Sequence, residues 1–410
     1  MMSSQLDQSS SSAHTGLTRP VILLLALCSG LSVANIYYAQ PLLDSIAHDF
    51  RIAPSSIGIV VTVTQVFYAA GLLVLVPMGD LFNRRKLIAT QMLLSVGALC
   101  TVAVSSSVSV LFVGIAIVGL LAVVAQTMVA AAATFSVPSD RGRTVGLVTS
   151  GIVIGILLAR TIAGTLNDWL GWRSVYFFSA GLTLLGSILL YILLPKQEPQ
   201  RIRLSYTRIF LSVFQLYREL PILRIRGLLA MLIFAAFSIL WTAMVLPLSS
   251  EPLTLSHIAI GAFGLAGVAG ALGASFSGRL ADLGYARWVT GISLAILLMA
   301  WLPIGFLYRS IGFLVIGVIL LDLAVQAVHV TNQSLIYKAR PEAQSRLTAA
   351  YMIFYSIGSA AGSIASTGVY AWAGWRGVCW LGAAVSGLAL LLWAYDFCRN
   401  YKQELIAVDN

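Results

Sequence analysis

One stretch of the chain concentrates groups able to hold and pass a proton: Asp322-Leu-Ala-Val-Gln326-Ala-Val-His329-Val-Thr-Asn332-Gln333. At about 100 degrees per residue, a helix places Asp322, Gln326, His329 and Gln333 within roughly a 60-degree arc, a polar stripe about 16 Å long. Such a stripe on an otherwise apolar helix belongs against a cavity or a packed bundle, not lipid. A carboxylate and an imidazole two turns apart can share or relay a proton through water or Gln326, because imidazole titrates near neutrality and buried carboxylates respond strongly to their surroundings. Arg160, in Gly151-Ile-Val-Ile-Gly155-Ile-Leu-Leu-Ala159-Arg160, is a second charge amid apolar residues. A charge at mid-membrane costs about 2.5 to 3.5 kcal/mol, so such residues normally face a cavity or a partner.

Smaller polar groups fit around these. In Asn35-Ile36-Tyr37-Tyr38-Ala39-Gln40-Pro41, Asn35 and Tyr38 share one helix face and Tyr37 and Gln40 the opposite one, so one pair lines a cavity. We carry Asn35 and Tyr38 forward. Gln65 and Tyr68 are three apart, with Gln65 a wall residue and Tyr68 better placed as packing, while Gln126 joins the cavity set. Each group also has a plainer reading: hydrogen bonding between helices for Asp322 and His329, snorkelling or a backbone pair for Arg160, an interfacial aromatic belt for the tyrosines. An Asp322 to Arg160 ion pair is open. Cys28, Cys100, Cys379 and Cys398 lie far apart without metal-ligand spacing, so neither a disulfide framework nor a zinc site is expected. No G-x-x-x-x-G-K-[ST] loop occurs. No cofactor is expected, and energy for any work must come from a gradient or a partner.

The elements that position these residues are membrane spans. Of 410 residues, 59% are apolar and 10% charged, with a mean hydropathy of +0.91. A soluble domain carries about 25% charged residues, so a soluble enzyme is excluded. Twelve apolar runs are long enough to cross a bilayer: 20-42, 54-78, 87-106, 108-135, 144-166, 173-195, 223-248, 257-278, 288-308, 310-337, 346-370 and 375-396. The first has a secretory look, but it is too long and poor in basic flanks, and eleven spans follow, so it reads as a retained helix. The net charge of +10 reflects no nucleic-acid partner, because the charges cluster between spans. Alternate connections carry the bulk of them: Arg19; Arg84, Arg85, Lys86; Arg141, Arg143; Lys196 through Arg226; Arg279, Arg287; Lys338, Arg340, Arg346; Arg399, Lys402. Only Arg51, Arg173, Arg309 and Arg376 fall on the other side. The positive-inside rule then puts both termini in the cytoplasm. The expected organisation is a disordered tail at 1-19, a six-helix bundle at 20-195, a basic linker at 196-222, a second bundle at 223-396 and a tail at 397-410.

Self-comparison supports two halves. Gly171-Trp172-Arg173 recurs as Gly374-Trp375-Arg376, Pro138 as Pro341, Arg143 as Arg346, Gly155 as Gly358, and Gln126 aligns with His329, all 203 residues apart. The loop from Gly79 to Arg85 has its counterpart in Gly278 to Gly284, with Asp80 and Asp282 offset by 202. Parallel repeats with a site between them suit a rocking transporter. The Gly-Trp-Arg tryptophans are expected in the headgroups. Glycines at 261, 264, 267, 270 and 273, and at 358 and 362, allow close helix approach.

On these residues the chain resembles the major facilitator superfamily over 20-396, and looks most like its bacterial proton-driven efflux branch, often labelled arabinose-efflux-permease-like. Asp80 with Arg84-Arg85-Lys86 resembles the family's cytoplasmic loop motif, with Asn83 where Gly is usual and Leu81 where a basic residue is frequent. The spaced glycines of 151-164 are similar to its antiporter motif, with Ala159-Arg160 in place of Gly-Pro, and Ile115 stands where a buried Arg is usual. The resemblance implies cytoplasmic gating by Asp80, Arg84, Arg85, Arg143, Asp282 and Arg346. It also implies proton-coupled export of a small organic molecule from a bacterial inner membrane, by a monomer surrounded by lipid. Uptake of a metabolite is the nearest alternative, and a non-transporting sensor a more distant one that has no need of the polar stripe.

Overall fold

The computed structural model describes residues 17–137, 140–195, 206–340 and 344–408, and the side chains of Asp80 and Asp282 lie outside that description. Among the described residues every regular element is helical, as a bilayer demands of a chain whose backbone must satisfy its own hydrogen bonds. The first half comprises α1 (Arg19–Phe50), α2 (Ile59–Val74), α3 (Arg84–Ala103), α4 (Val108–Phe135), α5 (Arg141–Leu170) and α6 (Trp172–Leu193). The second comprises α7 (Pro221–Ser249), α8 (257–282), α9 (Ala286–Gly305) and α10 (Ile311–Ala339). The long helix Gln344–Val408 turns at Gly374, so it provides α11 (344–373) and α12 (375–408). The architecture agrees with twelve crossings in two pseudo-symmetric halves of six.

Local chemistry sets the helix ends. Asn83, Ser107 and Ser310 accept hydrogen bonds from the backbone amides of Lys86, Val110 and Gly312, capping α3, α4 and α10. In α1, Gln40–Leu42 tightens into a 3₁₀ turn around Pro41, which has no amide to donate. This helix runs on to Phe50, eight residues past its expected end.

The internal repeat is visible in backbone geometry. Gly171 (φ 81°, ψ 162°) and Gly374 (φ 63°, ψ −160°) take the same positive-φ conformation between consecutive helices, one that only glycine adopts without strain. The adjoining tryptophans correct an expectation. Trp172 and Trp375 are 5% and 3% exposed rather than in the headgroups, because each indole N–H finds a protein acceptor. Trp172 donates to Asp49 Oδ2 at 3.1 Å and Trp375 to the Ile304 carbonyl at 2.9 Å. The basic connection also holds more structure than a linker. Its helix Tyr206–Glu219 buries Val213 and Leu216 against Leu223, Ile336 and Leu347, and Tyr217 donates to the Ala350 carbonyl at 2.6 Å.

Candidate functional site

Between the halves lies a cavity of about 930 Å³, reached at the basic-loop end past Arg141, Gly142, Tyr337 and Thr348. Its wall is mainly apolar and aromatic, with Tyr37, Tyr68, Phe234, Phe237 and Tyr355, and its polar points are few: Gln126, Thr149, Ser150, Gln326, His329 and Gln333. That composition suits a small organic molecule, which needs apolar burial and a few groups to orient it. Gln126 and His329, related by the repeat, line the same space.

The opposite end is closed by contacts between halves. Thr62 Oγ1 donates to the Ala360 carbonyl at 2.9 Å and Thr367 Oγ1 to the Ser55 carbonyl at 3.1 Å, joining α2 and the turn before it to α11. Thr161 Oγ1 donates to the Gly261 carbonyl at 3.1 Å, joining α5 to α8. There the backbones touch: a Cβ on Gly164 would lie 2.1 Å from the His257 carbonyl oxygen, and one on Gly261 2.5 Å from that of Arg160. The cavity is thus open at the basic end and closed at the other.

The stripe of α10 runs from this closed end into the cavity. Asp322 is 4% exposed, and its Oδ1 accepts a 3.1 Å bond from Trp241 Nε1 of α7. Its Oδ2 makes no hydrogen bond among the described residues and faces Gly267, where a Cβ would stand 3.4 Å away. Gln326, His329 and Gln333 follow along the cavity wall. His329 pairs through Nδ1 with Tyr351 Oη at 3.0 Å and sits edge-on to Phe234, so it does not touch Asp322. Asn332, on another face, accepts from Arg226 Nη1 at 3.4 Å inside the second half.

Arg160 is 2% exposed and reaches across the interface. Its Nε and Nη2 donate to Gln40 Oε1 at 3.1 and 3.0 Å. Its guanidinium lies 3.6 Å from the Trp241 ring centroid and 5.3 Å from those of Tyr37 and Phe237, so aromatic faces replace part of its hydration. The sequence left an Arg160 to Asp322 ion pair open. The structure instead inserts Trp241, stacked on one residue and hydrogen-bonded to the other. Both line a pocket of about 20 Å³ with Gly267, Gln326, Leu157 and Phe237, large enough for one water-sized group. Arg160 Nη1 makes no hydrogen bond among the described residues.

Several candidates lie elsewhere. Asn35 and Tyr38 face into the first half: Asn35 Oδ1 accepts from Ser179 Oγ of α6 at 2.6 Å, and Tyr38 is fully buried. The opposite pair takes the interface, Gln40 on Arg160 and Tyr37 in the cavity wall, hydrogen-bonded to Tyr355. The correction has a physical reason, since Ser179 supplies a partner for Asn35 within its own bundle. On α2, Tyr68 lines the cavity, whereas Gln65 is buried behind it with Oε1 unpartnered among the described residues. Of the gating set, Arg85 donates to the Leu194 carbonyl at 3.2 Å and covers Tyr191, both within the first half. Arg143 is exposed, and Arg84 and Arg346 are half-buried. Trp241 and Tyr355 were missed because nothing in their spacing separates them from packing residues, whereas Gln40 stood with Tyr37 as the face of α1 not carried forward. The outer trio Asp44, Asp168 and His257 was also missed, each being an ordinary helix-end residue until the fold joins them.

The family profile described as Major Facilitator Superfamily matches residues 22–226 and 226–404, and the chain belongs to that superfamily of membrane transporters. The transporter YgaY of Escherichia coli O157:H7 is 46% identical over 94% of this chain and 97% of its own length. A transporter of Streptomyces coelicolor is 31% identical, covering 90% and 85%. Among solved structures, an inward-facing, occupied bacterial homologue of the human lysosomal transporter Spinster superimposes with a TM-score of 0.75, at 16% identity, over 93% of this chain and 96% of that one. The protein is therefore a multi-pass transporter of a small-molecule substrate, not an enzyme.

Proposed function

We propose that the protein couples proton movement to the export of a small organic molecule from the bacterial cytoplasm, by alternating access and as a monomer, with Asp322 carrying the proton. The observation that carries this reading is Asp322 itself. It is a buried carboxylate at the closed end of a cavity open on one side, with one oxygen that makes no hydrogen bond among the described residues and a polar stripe leading to it. A carboxylate so placed costs free energy and is by default a mark of function, and protonation changes its charge where the two halves meet. In this reading the basic end faces the cytoplasm of the inner membrane, both termini lie there, and the present state is inward-open. The loops bearing Asp80, Arg84, Arg85 and Arg143, with Asp282 and Arg346, would meet when that end closes.

A specific observation favours a second reading, proton-linked uptake of an organic anion. Arg160 and Asp322 line one pocket, so an anion on Arg160 is repelled by an ionised Asp322 and accepted beside a protonated one. Proton and anion then bind together and travel the same way. A cationic or neutral substrate that uses the Asp322 carboxylate competes with the proton instead, which gives exchange and export. Substrate charge thus decides direction. Counterflow and pH-dye measurements in vesicles, with organic cations, neutral compounds and anions tested separately, distinguish them: alkalinisation of the proton-supplying side with outward substrate flux supports export. Cotransport of an anion and a proton in one direction replaces it with uptake.

A further inference from the structure

At the closed end, one side chain of the second half is gripped by two of the first. His257 opens α8, and its Nε2 lies 3.0 Å from both Asp44 Oδ1 and Oδ2 at the end of α1. Its Nδ1 lies 2.9 Å from Asp168 Oδ1 at the end of α5. An ionised carboxylate only accepts hydrogen bonds, so each ring nitrogen must be the donor, and an imidazole donates from both nitrogens only when it carries the extra proton. Asp168 also crosses the interface to cap α8: Oδ1 accepts from the His257 amide at 3.1 Å and Oδ2 from the Ile258 amide at 2.8 Å. The other side chains at hydrogen-bond distance are neutral, Ser45 Oγ at 3.3 Å from Nε2, itself accepting from Asn167 Nδ2 at 3.2 Å. The charged groups facing the ring from the packed elements are therefore Asp44 and Asp168. Directly beneath, the α5 and α8 backbones meet at Gly164 and Gly261.

We infer that His257, Asp44 and Asp168 form a second proton-binding site, separate from Asp322, which latches the outer end shut while the imidazole is protonated. Opening the outer end parts α5 from α8, and with them Asp168 and Asp44 from His257. With the extra proton bound, that separation breaks contacts between a cation and two anions. Without it, the ring is neutral and one of its nitrogens faces a carboxylate with no hydrogen to share, so the charge attraction that holds α8 to the first half is gone. External acidity thus holds the inward-open state, and rising external pH releases it. The inference rests on alternating access but not on Asp322 as the coupling site.

Spin labels report the outer gap. With the native cysteines replaced, Ala53→Cys on the first half and Arg309→Cys on the second, both exposed, are labelled in the full-length protein in nanodiscs, and their distance distribution is recorded from about pH 5 to about pH 9, the range in which imidazoles change charge. The expected result is a rising fraction of longer distances with pH, absent in His257→Gln and retained in Asp322→Asn. Asp44→Asn removes one partner without touching the ring, and should move the midpoint down by about one pH unit or more. It keeps the inference open to test even where His257→Gln does not fold. A pH response that persists in His257→Gln, a midpoint unmoved by Asp44→Asn, or a response lost only in Asp322→Asn would overturn it, the last leaving the proposed coupling site standing.

Discussion

Trp241 is the residue on which the polar centre turns, because it meets Arg160 with its face and Asp322 with its edge. The two contacts can be separated. Trp241→Phe keeps an aromatic face for the guanidinium but removes the donor to Asp322, and a hydrogen bond to a charged group contributes about 1.5 to 3 kcal/mol. We expect transport efficiency to fall about tenfold or more, with a displaced pH profile, measured as initial rates in vesicles. Arg160→Lys makes the complementary change: a flexible ammonium cannot stack flat on Trp241 while donating twice to Gln40. Loss of a desolvated stack of about 2 kcal/mol also predicts a fall of at least tenfold, but with the pH profile of the wild type. Unchanged rates in both variants would mean that Arg160, Trp241 and Asp322 merely pack.

At the scale of elements, two sets of glycine contacts serve different purposes. Within the first half, a Cβ on Gly155 would lie 2.2 Å from the Gly30 carbonyl oxygen, so α1 and α5 pack backbone to backbone. Gly155→Leu should lower the melting temperature by several degrees and reduce the yield of folded protein. Across the halves, Gly164 meets His257 in the closed end alone. Gly164→Leu should leave the melting temperature within about two degrees of wild type and shift the outer label pair toward long distances. Equal effects of the two substitutions would contradict this division. The sequence made much of this level legible. Twelve runs and their polarity followed from apolar length and charge placement, the 203-residue offset from matched residues such as the two Gly-Trp-Arg triplets, and the α10 stripe from helical period alone. Which face of α1 met the cavity did not follow, because Asn35–Tyr38 and Tyr37–Gln40 are equally polar and only Ser179 of α6 and Arg160 of α5 decide between them. The helix Tyr206–Glu219 was obscured by its arginines, although Val213 and Leu216 carry a helical spacing. The Asp44, His257 and Asp168 cluster draws on three distant segments, so no local pattern announces it.

For the whole molecule, the cavity opens among the basic loops and is sealed at the other end by α2 with α11 and α5 with α8. The positive-inside rule assigns those loops to the cytoplasm. In cells producing variants without the native cysteines, Ala53→Cys and Arg309→Cys should react with a membrane-impermeant maleimide, whereas Lys86→Cys should react only after permeabilisation. The reverse pattern would invert the proposed topology. The most direct test of the central claim is proton movement in reconstituted vesicles, comparing wild type with Asp322→Asn while organic cations, neutral compounds and anions are added to one side. The account predicts that a transported compound drives proton flux in wild type and none in Asp322→Asn. Equal substrate-driven proton flux in the two proteins would contradict it and leave Asp322 a structural carboxylate.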